Sequence, residues 1–388
     1  MNIRDKLDKN QVAAILMLAL LLLGIAVQAL RSPLYTWDLV PYVATAIESP
    51  DLTPRDLHTD TYSILRETLP GPSYDALVSG PYAARMASDA GDFYSQLPQY
   101  RVKPGYIFLN RLLTTVGLTP VKSIMLMSLI PGLLMTGLLF AWLRRFLGSW
   151  SSLGLVAVFI PAARVVDLSR IPVPDNLSTL LLLSALYSMT VKKWRIVGYL
   201  LLLLTITVRI NNIVFVALLL LWQLLSAYLQ NARRLDRTLV PPAAALAASV
   251  ILYFLIAGIN DHDWWRLFYH TFVASINDLD SFSTPFSAPT YLHVLLSAIT
   301  QSVASGGAVQ TVLPGFVLIG MLVIWLPTAR GSELAPYVAL FLPTLLVYLF
   351  MFPLVASWDR FFTPFYALIV VFACDALTSL HTAETARR

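Results

Sequence analysis

One aspartate and a few widely spaced arginines are the residues of this chain best suited to chemistry. Asp38 lies in the run YTWDLVPYVATAIE, flanked by Tyr35, Trp37 and Tyr42, with Glu48 ten residues on. Arg360 lies in SWDRFFTPFYALIV, and Arg209 stands beside Asn211 and Asn212. Arg164, Asp167, Arg170 and Asp175 share the short stretch ARVVDLSRIPVPDNLS. A carboxylate can take the proton of an attacking hydroxyl. An arginine fork can hold two oxygens of a departing phosphate and stabilise the charge that grows there. The two together fit transfer of a sugar from a polyprenyl phosphate to an acceptor hydroxyl. Such a leaving group needs no general acid, and the transition state is oxocarbenium-like.

Each residue also has a plainer role open to it. Asp38 could cap a short helix beginning at Leu39, where Pro41 suits an early turn. Glu48 could be a solvated loop acid, Arg360 could pair with Asp359, and Arg209 could snorkel to a headgroup. Trp37 and Tyr42 could stack on a sugar or sit in an interfacial aromatic belt. Asp175 with Asn176 reads mainly as the N-terminal cap of the next helix, while Arg170 and Arg164 remain candidate substrate contacts. In NDHDWWRLFYH, His262 and His270 lie among Asp261, Asp263 and Arg266 without a recognised metal spacing. Two tryptophans and a tyrosine there fit an interfacial helix at least as well, and His262 stays a candidate substrate contact.

These residues are carried by a chain that needs an apolar solvent. Of its 388 residues 57% are hydrophobic and 13% charged, with a mean hydropathy of +0.69. Soluble domains run at roughly half apolar and a quarter charged. The apolar residues come in blocks of bilayer length, which excludes a soluble enzyme, a disordered chain and a disulfide scaffold. Cys374 is the single cysteine, so no intrachain disulfide forms. The net charge of +5 does not point to nucleic acid, because the bases fall as pairs and triplets between apolar blocks, as topology signals do. The sequence shows no solenoid repeat, no low-complexity tract and no Gly-rich phosphate loop, which argues against an NTP-driven machine.

The hydropathy pattern predicts an all-α polytopic membrane protein, one transmembrane domain over 1–388 with about ten helices. The first block, 11–30, reads as a retained anchor, because its core exceeds the roughly 7–15 residues of a signal peptide. The others run approximately 121–143, 149–163, 175–191, 196–209, 212–229, 238–258, 308–327, 334–352 and 361–379. An inside N-terminus gives the inner face Arg144-Arg145, Lys192-Lys193-Arg195, Arg233-Arg234-Arg237, Arg330 and Arg387-Arg388. Asp38, Glu48, Asp167, Asp175, Asp261, Asp263 and Asp359 then fall outside, with both termini cytoplasmic. Two outer loops follow, 31–120 and 259–307. The first is expected to hold juxtamembrane helices, an amphipathic one over Ala83–Leu97 and another over 104–117, too short for a core of about 30 Å. Residues 291–305 invite the same expectation. The stretch 196–208 spans only about 20 Å as a helix, and 151–163 is similar. Arg209 and Arg164 at their ends therefore predict a polar cavity opening outward, since charge at depth normally faces a wet cavity or a partner.

The order of features resembles the GT-C superfamily of polytopic glycosyltransferases, which includes the protein O-mannosyltransferases and the bacterial lipid A glycosyltransferases. An aspartate follows the first helix (WDLVPY), and a proline-led apolar stretch ends in a GLTP break (KPGYIFLNRLLTTVGLTP). A basic inner turn runs Arg144 to Gly148, an R-x-x-x-P-D pattern runs Arg170 to Asp175, and a D-R-aromatic-aromatic-x-P pattern runs Asp359 to Pro364. The resemblance covers nearly the whole chain. It implies that Asp38 is the catalytic base of an inverting transfer and that Arg360 contacts the carrier phosphate. Many relatives have two adjacent acids after the first helix, whereas Leu39 follows Asp38 here; a divalent cation therefore stays an open expectation. Some members carry a large C-terminal soluble domain; none is expected here, so the outer loops would recognise the acceptor. The implied partners are a polyprenyl-phosphate sugar, a glycan, lipid or protein acceptor, and membrane lipids, at a bacterial inner membrane. Two other classes fit the same residues: a flippase for a lipid-linked saccharide, and a glycan polymerase or ligase using a lipid diphosphate.

Overall fold

A computed structural model of the chain describes residues 8–191, 194–230, 237–304, 313–326, 332–353 and 359–385. Among these the protein is all-helical, with no strand. α1 (Lys9–Arg31) is followed by α2 (Leu39–Ile47), α3 (Pro54–Thr68), α4 (Gly71–Val78), α5 (Pro81–Ser88), α6 (Ala90–Gln96), α7 (Pro98–Arg101) and α8 (Pro104–Thr115). Then come α9 (Pro120–Leu143), α10 (Ser149–Ala162), α11 (Val165–Leu168), α12 (Asp175–Met189), α13 (Arg195–Val208), α14 (Ile213–Gln230) and α15 (Val240–Ile259). α16 (Trp264–Phe272) and α17 (Ala288–Ala304) precede α18 (Leu313–Ile324), α19 (Ala335–Ala339), α20 (Phe341–Met351) and α21 (Asp359–Thr385).

Five spans, Lys9–Arg31, Pro120–Leu143, Ile210–Gln230, Arg237–Ile259 and Asp359–Leu380, are long and apolar enough to cross a membrane. Their outer faces match that length. On α1 the side chains of Leu16, Leu20, Leu23 and Leu30 are exposed, an apolar surface that suits hydrocarbon and not water. α10, α13, α18 and the α19–α20 pair are apolar but shorter, so ten full spans are more than these lengths establish. The predicted span 334–352 breaks at Leu340, between α19 and α20. Of the span 308–327, residues 308–312 and 327 lie outside the described residues, as do Lys192, Lys193, Arg233, Arg234, Arg330, Arg387 and Arg388.

Two apolar cores organise the molecule. The larger joins α1, α9, α10, α12–α15 and α18–α21. The smaller gathers α2, α3 and α8 against the first turns of α9, through Leu39, Val43, Leu57, Tyr106, Val121 and Ile124. α2 is nearly all apolar (LVPYVATAI) and every residue from Leu39 to Ala46 is buried. A helix apolar all round has no solvent face and must be surrounded; α3, α8 and α9 do this. The expected amphipathic helix over Ala83–Leu97 is instead two short helices. Asp89 turns extended between them, and its carboxylate accepts from the N–H groups of Gly91 and Asp92 to cap α6.

α9 and α12 approach closely beside Pro131, which interrupts the α9 ladder. There Asn176 donates to the Ser128 carbonyl (2.8 Å) and to Ser169 Oγ (3.3 Å). Gly132 permits this: a Cβ would stand 2.5 Å from Ser169 Oγ and 2.7 Å from Asn176 Nδ2.

Candidate functional site

Asp38 occupies the N-cap of α2 yet does not cap it. Its backbone is helical (φ −53°, ψ −25°) and its side chain makes no capping hydrogen bond. The physical reason lies in the backbone. Leu39 N–H donates to Thr36 C=O (2.9 Å), Val40 N–H to Trp37 C=O (3.0 Å), and Pro41 has no N–H to satisfy. The carboxylate is thereby left for other partners, which corrects the capping alternative. Oδ1 accepts from Tyr100 Oη at 3.3 Å. Oδ2 lies 3.9 Å from Arg360 Nη1, with both side chains about one-third exposed (33% and 32%). That separation is an ion-pair contact and too long for a hydrogen bond.

Arg360, in the first turn of α21, does not pair with its neighbour; Asp359 instead accepts from Tyr366 Oη at 2.8 Å. The Arg360 guanidinium carbon lies 4.8 Å from the Phe361 ring centroid, and its Nε is buried without a hydrogen-bond partner among the described residues. Arg209 approaches the same ring, with its guanidinium carbon 4.1 Å from the centroid. The two guanidinium carbons are thus no more than 8.9 Å apart, the sum of those distances. α13 ends at Val208, one residue short of the predicted span 196–209, and the backbone of Arg209 turns extended (φ −146°, ψ 103°). Its side chain forms an ion pair with Asp175 (13% and 3% exposed). Asp175 therefore does not act as the expected cap: Pro174 holds the N-cap of α12 and no side chain bonds there. A buried carboxylate gains more from a buried guanidinium than from a helix end.

Two residues outside the sequence-derived set complete the cluster. Lys103, which precedes α8, places Nζ 5.0 Å from the Tyr42 ring centroid and 4.8 Å from that of Tyr100. Burial pushes its ammonium down to about 8; Asp38 pulls the other way, and the charges of Arg209 and Arg360 push with burial. Burial first, and the Asp38 charge next, hold the hydroxyls of Tyr42 and Tyr100 well above the usual tyrosine range. The signal that could have found Lys103 is a lysine directly before a helix-opening proline in an apolar stretch; Tyr100 gave none.

The other predicted residues are distributed as follows. Tyr42 is 2% exposed, packed edge-on against Tyr100 (5.2 Å) and Tyr106 (4.9 Å), so its ring is used in packing and offers no stacking surface. Trp37 stays partly exposed and meets Tyr82 edge-on at 5.4 Å. Glu48 is held by both arms of Arg101, from Nε at 3.1 Å and from Nη2. His262 lines a narrow recess with Asn211, Tyr348 and Phe352; burial, then the charge of Lys103, lower its pKa and keep it neutral. Arg170 is tied to the Ser32 carbonyl (2.7 Å). Arg164 is left-handed (φ 52°) and exposed, 3.4 Å from Asp167. The fold thus gathers Asp38, Tyr42, Arg209 and Arg360, and gives Glu48, Arg164 and Arg170 other partners.

Around Asp38 the near groups are the cations of Arg360 and Lys103 and the neutral phenol of Tyr100, a set that does not fit a divalent cation. Among the described residues no three His, Cys, Asp or Glu side chains converge. Chemically, the cluster offers one carboxylate with free lone pairs beside several cations. No protein-family model, no curated protein and no solved structure matches the chain.

Proposed function

We propose that this chain is an integral-membrane glycosyltransferase that moves a sugar from a polyprenyl phosphate to an acceptor hydroxyl at the outer face of a bacterial inner membrane. The topology proposed with it has ten spans and both termini inside. One observation carries it: the Asp38 carboxylate is free of its helix end and stands 3.9 Å from Arg360, whose ring neighbour Phe361 is shared with Arg209. The acceptor oxygen attacks the anomeric carbon with inversion while the bond from that carbon to the phosphate oxygen breaks. The hydroxyl proton passes to Asp38, and the electron pair leaves on the lipid phosphate. Arg360, with Lys103 and Arg209 behind it, stabilises that charge. Arg209 contributes less, because Asp175 already neutralises it.

Asp38→Asn tests this. With a polyprenyl-phosphate sugar and purified protein, transfer should fall by about 10²–10⁴-fold, the range of a lost general base, while thermal stability in detergent stays unchanged. Wild-type turnover in that variant would remove the base.

One observation favours a second reading, transport of a lipid-linked saccharide. Two polar recesses share Glu333, one lined by Arg195, Gln223 and Tyr337 and the other by Arg145, Ser332 and Asp375. The second lies at the C-terminal end of α9, through Trp142, about 36 Å along that helix from its α2-facing start. Product analysis decides between the two, since a transporter leaves the bond between sugar and phosphate intact.

A further inference from the structure

Three aromatic rings lead away from Asp38 across both long loops. Trp37, the residue before Asp38, meets Tyr82 of α5 edge-on with centroids 5.4 Å apart. Tyr82 meets His270 of α16 at 5.6 Å. All three are partly exposed. The two loops are also fastened to each other: Gln96 Nε2 donates to the Asn277 carbonyl (2.7 Å), and Leu279 N–H donates to Ser95 Oγ (2.9 Å). These bonds staple the segment after α16 onto α6. His270 is fixed as well, because its Nδ1 accepts from Ile276 N–H at 2.9 Å. A neutral imidazole whose Nδ1 accepts must carry its proton on Nε2, which is then a donor. Burial lowers the pKa of His270, which keeps the ring in that neutral form.

Each ring also ends in a polar tip. Trp37 Nε1–H, Tyr82 Oη–H and His270 Nε2–H have no hydrogen-bond partner among the described residues. A lipid tail covering this row would strand three donors, each at the cost of an unmade hydrogen bond. An anion would find no charge in a neutral indole, phenol and imidazole. A sugar ring suits both features, since its C–H face lies on an aromatic face while its hydroxyls reach the tips.

We propose that Trp37, Tyr82 and His270 form an acceptor subsite for a neutral saccharide chain, feeding a sugar hydroxyl to Asp38. This rests on Asp38 being the base, and it names the acceptor as a glycan, not a lipid or a protein. Trp37 directly precedes Asp38 in sequence, and the proposal requires the attacking hydroxyl at that end of the row.

The test uses the full chain in nanodiscs, without donor, and saturation-transfer NMR with maltohexaose, cellohexaose, mannohexaose and chitohexaose. At least one hexaose should bind saturably. Trp37→Ala and Tyr82→Ala should each weaken that binding by about tenfold, equivalent to about 1.4 kcal/mol, while Trp37→Phe, which keeps a ring, retains most of it. An unchanged melting temperature in each variant excludes unfolding as the cause. Absence of binding by all four sugars, or binding that ignores both alanine variants, overturns the subsite. Hexaose binding by the alanine variants reports on the aromatic row, whereas turnover of Asp38→Asn reports on the base, so the two ideas can fail separately.

Discussion

Replacing Lys103 by methionine should stabilise the protein while impairing it. An ordinary lysine at 10.5 held at about 8 carries a cost of about 3 kcal/mol near neutral pH, at about 1.4 kcal/mol per pH unit. The side chain is partly exposed, so solvent screening trims that figure. Its two contacts with the Tyr42 and Tyr100 rings, at 5.0 and 4.8 Å, return about 0.5–1 kcal/mol each. The net gain from Lys103→Met is therefore about 1–2 kcal/mol at pH 7, a rise of roughly 2–4 °C in a detergent melt. The sign of the pH dependence follows from linkage. The folded-state value lies below the ordinary one, so between about 8 and 10.5 the unfolded chain holds a proton that the folded chain has lost. Wild-type stability should then rise with pH across that window and stay flat below it. Tyr42 and Tyr100 remain protonated throughout, since burial and Asp38 hold both above the ordinary range. Melts of both proteins from pH 7.0 to 9.5 should show the gap closing as pH rises. A variant no more stable at pH 7, or a gap that widens, would refute the account of Lys103. Under the transferase reading the same variant loses activity, and wild-type activity declines above about pH 8 as the cation is lost.

Arg360→Lys keeps the charge but loses the two-pronged fork; donor affinity should weaken by about tenfold, and an unchanged donor KM would argue against a phosphate contact. Asp175→Asn strands the Arg209 guanidinium in a buried site, at a cost of about 3–5 kcal/mol, visible as a large drop in melting temperature that Arg209→Gln should partly restore. Gly132→Ala pushes a methyl group to 2.5 Å from Ser169 Oγ and 2.7 Å from Asn176 Nδ2; a loss of about 1–3 kcal/mol is expected, and a neutral melt would show that α9 and α12 can separate there.

Much of this architecture is legible from local pattern. The apolar blocks fix where the helices lie, and the polar residues that follow 196–208 mark where α13 gives way to the extended backbone of Arg209. The helix at Leu39 is legible from Pro41. The partners are not legible. Tyr100 reaches Asp38 across 62 positions, and Arg209 reaches Asp175 across 34, distances over which composition and periodicity carry no information. The capping reading of Asp175 failed for this reason: a local rule sees the helix that follows and not the guanidinium that packs against it. Asp38 failed to cap for the opposite reason, since carbonyls within its own turn had already met the N–H groups. Ala83–Leu97 divided where the Asp89 carboxylate accepts from two amide N–H groups at once, a competition that apolar periodicity does not register.

Three acid–arginine pairs differ in how free geometry leaves the acid to accept a proton. Glu48 is gripped by both arms of Arg101, with each carboxylate oxygen taken. Asp175 is locked to Arg209 in a nearly sealed site. In both, accepting a proton would mean breaking a charge-assisted bond in poor solvent, which opposes a role as base. Asp38 alone of the three meets its arginine without a hydrogen bond, at 3.9 Å, and remains one-third exposed. Its lone pairs can take a proton without dismantling a structural pair, while Arg360 keeps donors for an incoming anion. Asp38 and Glu48 look alike along the sequence, both acids shortly after the first helix. What distinguishes them is that Arg101 closes on one and Arg360 stops short of the other.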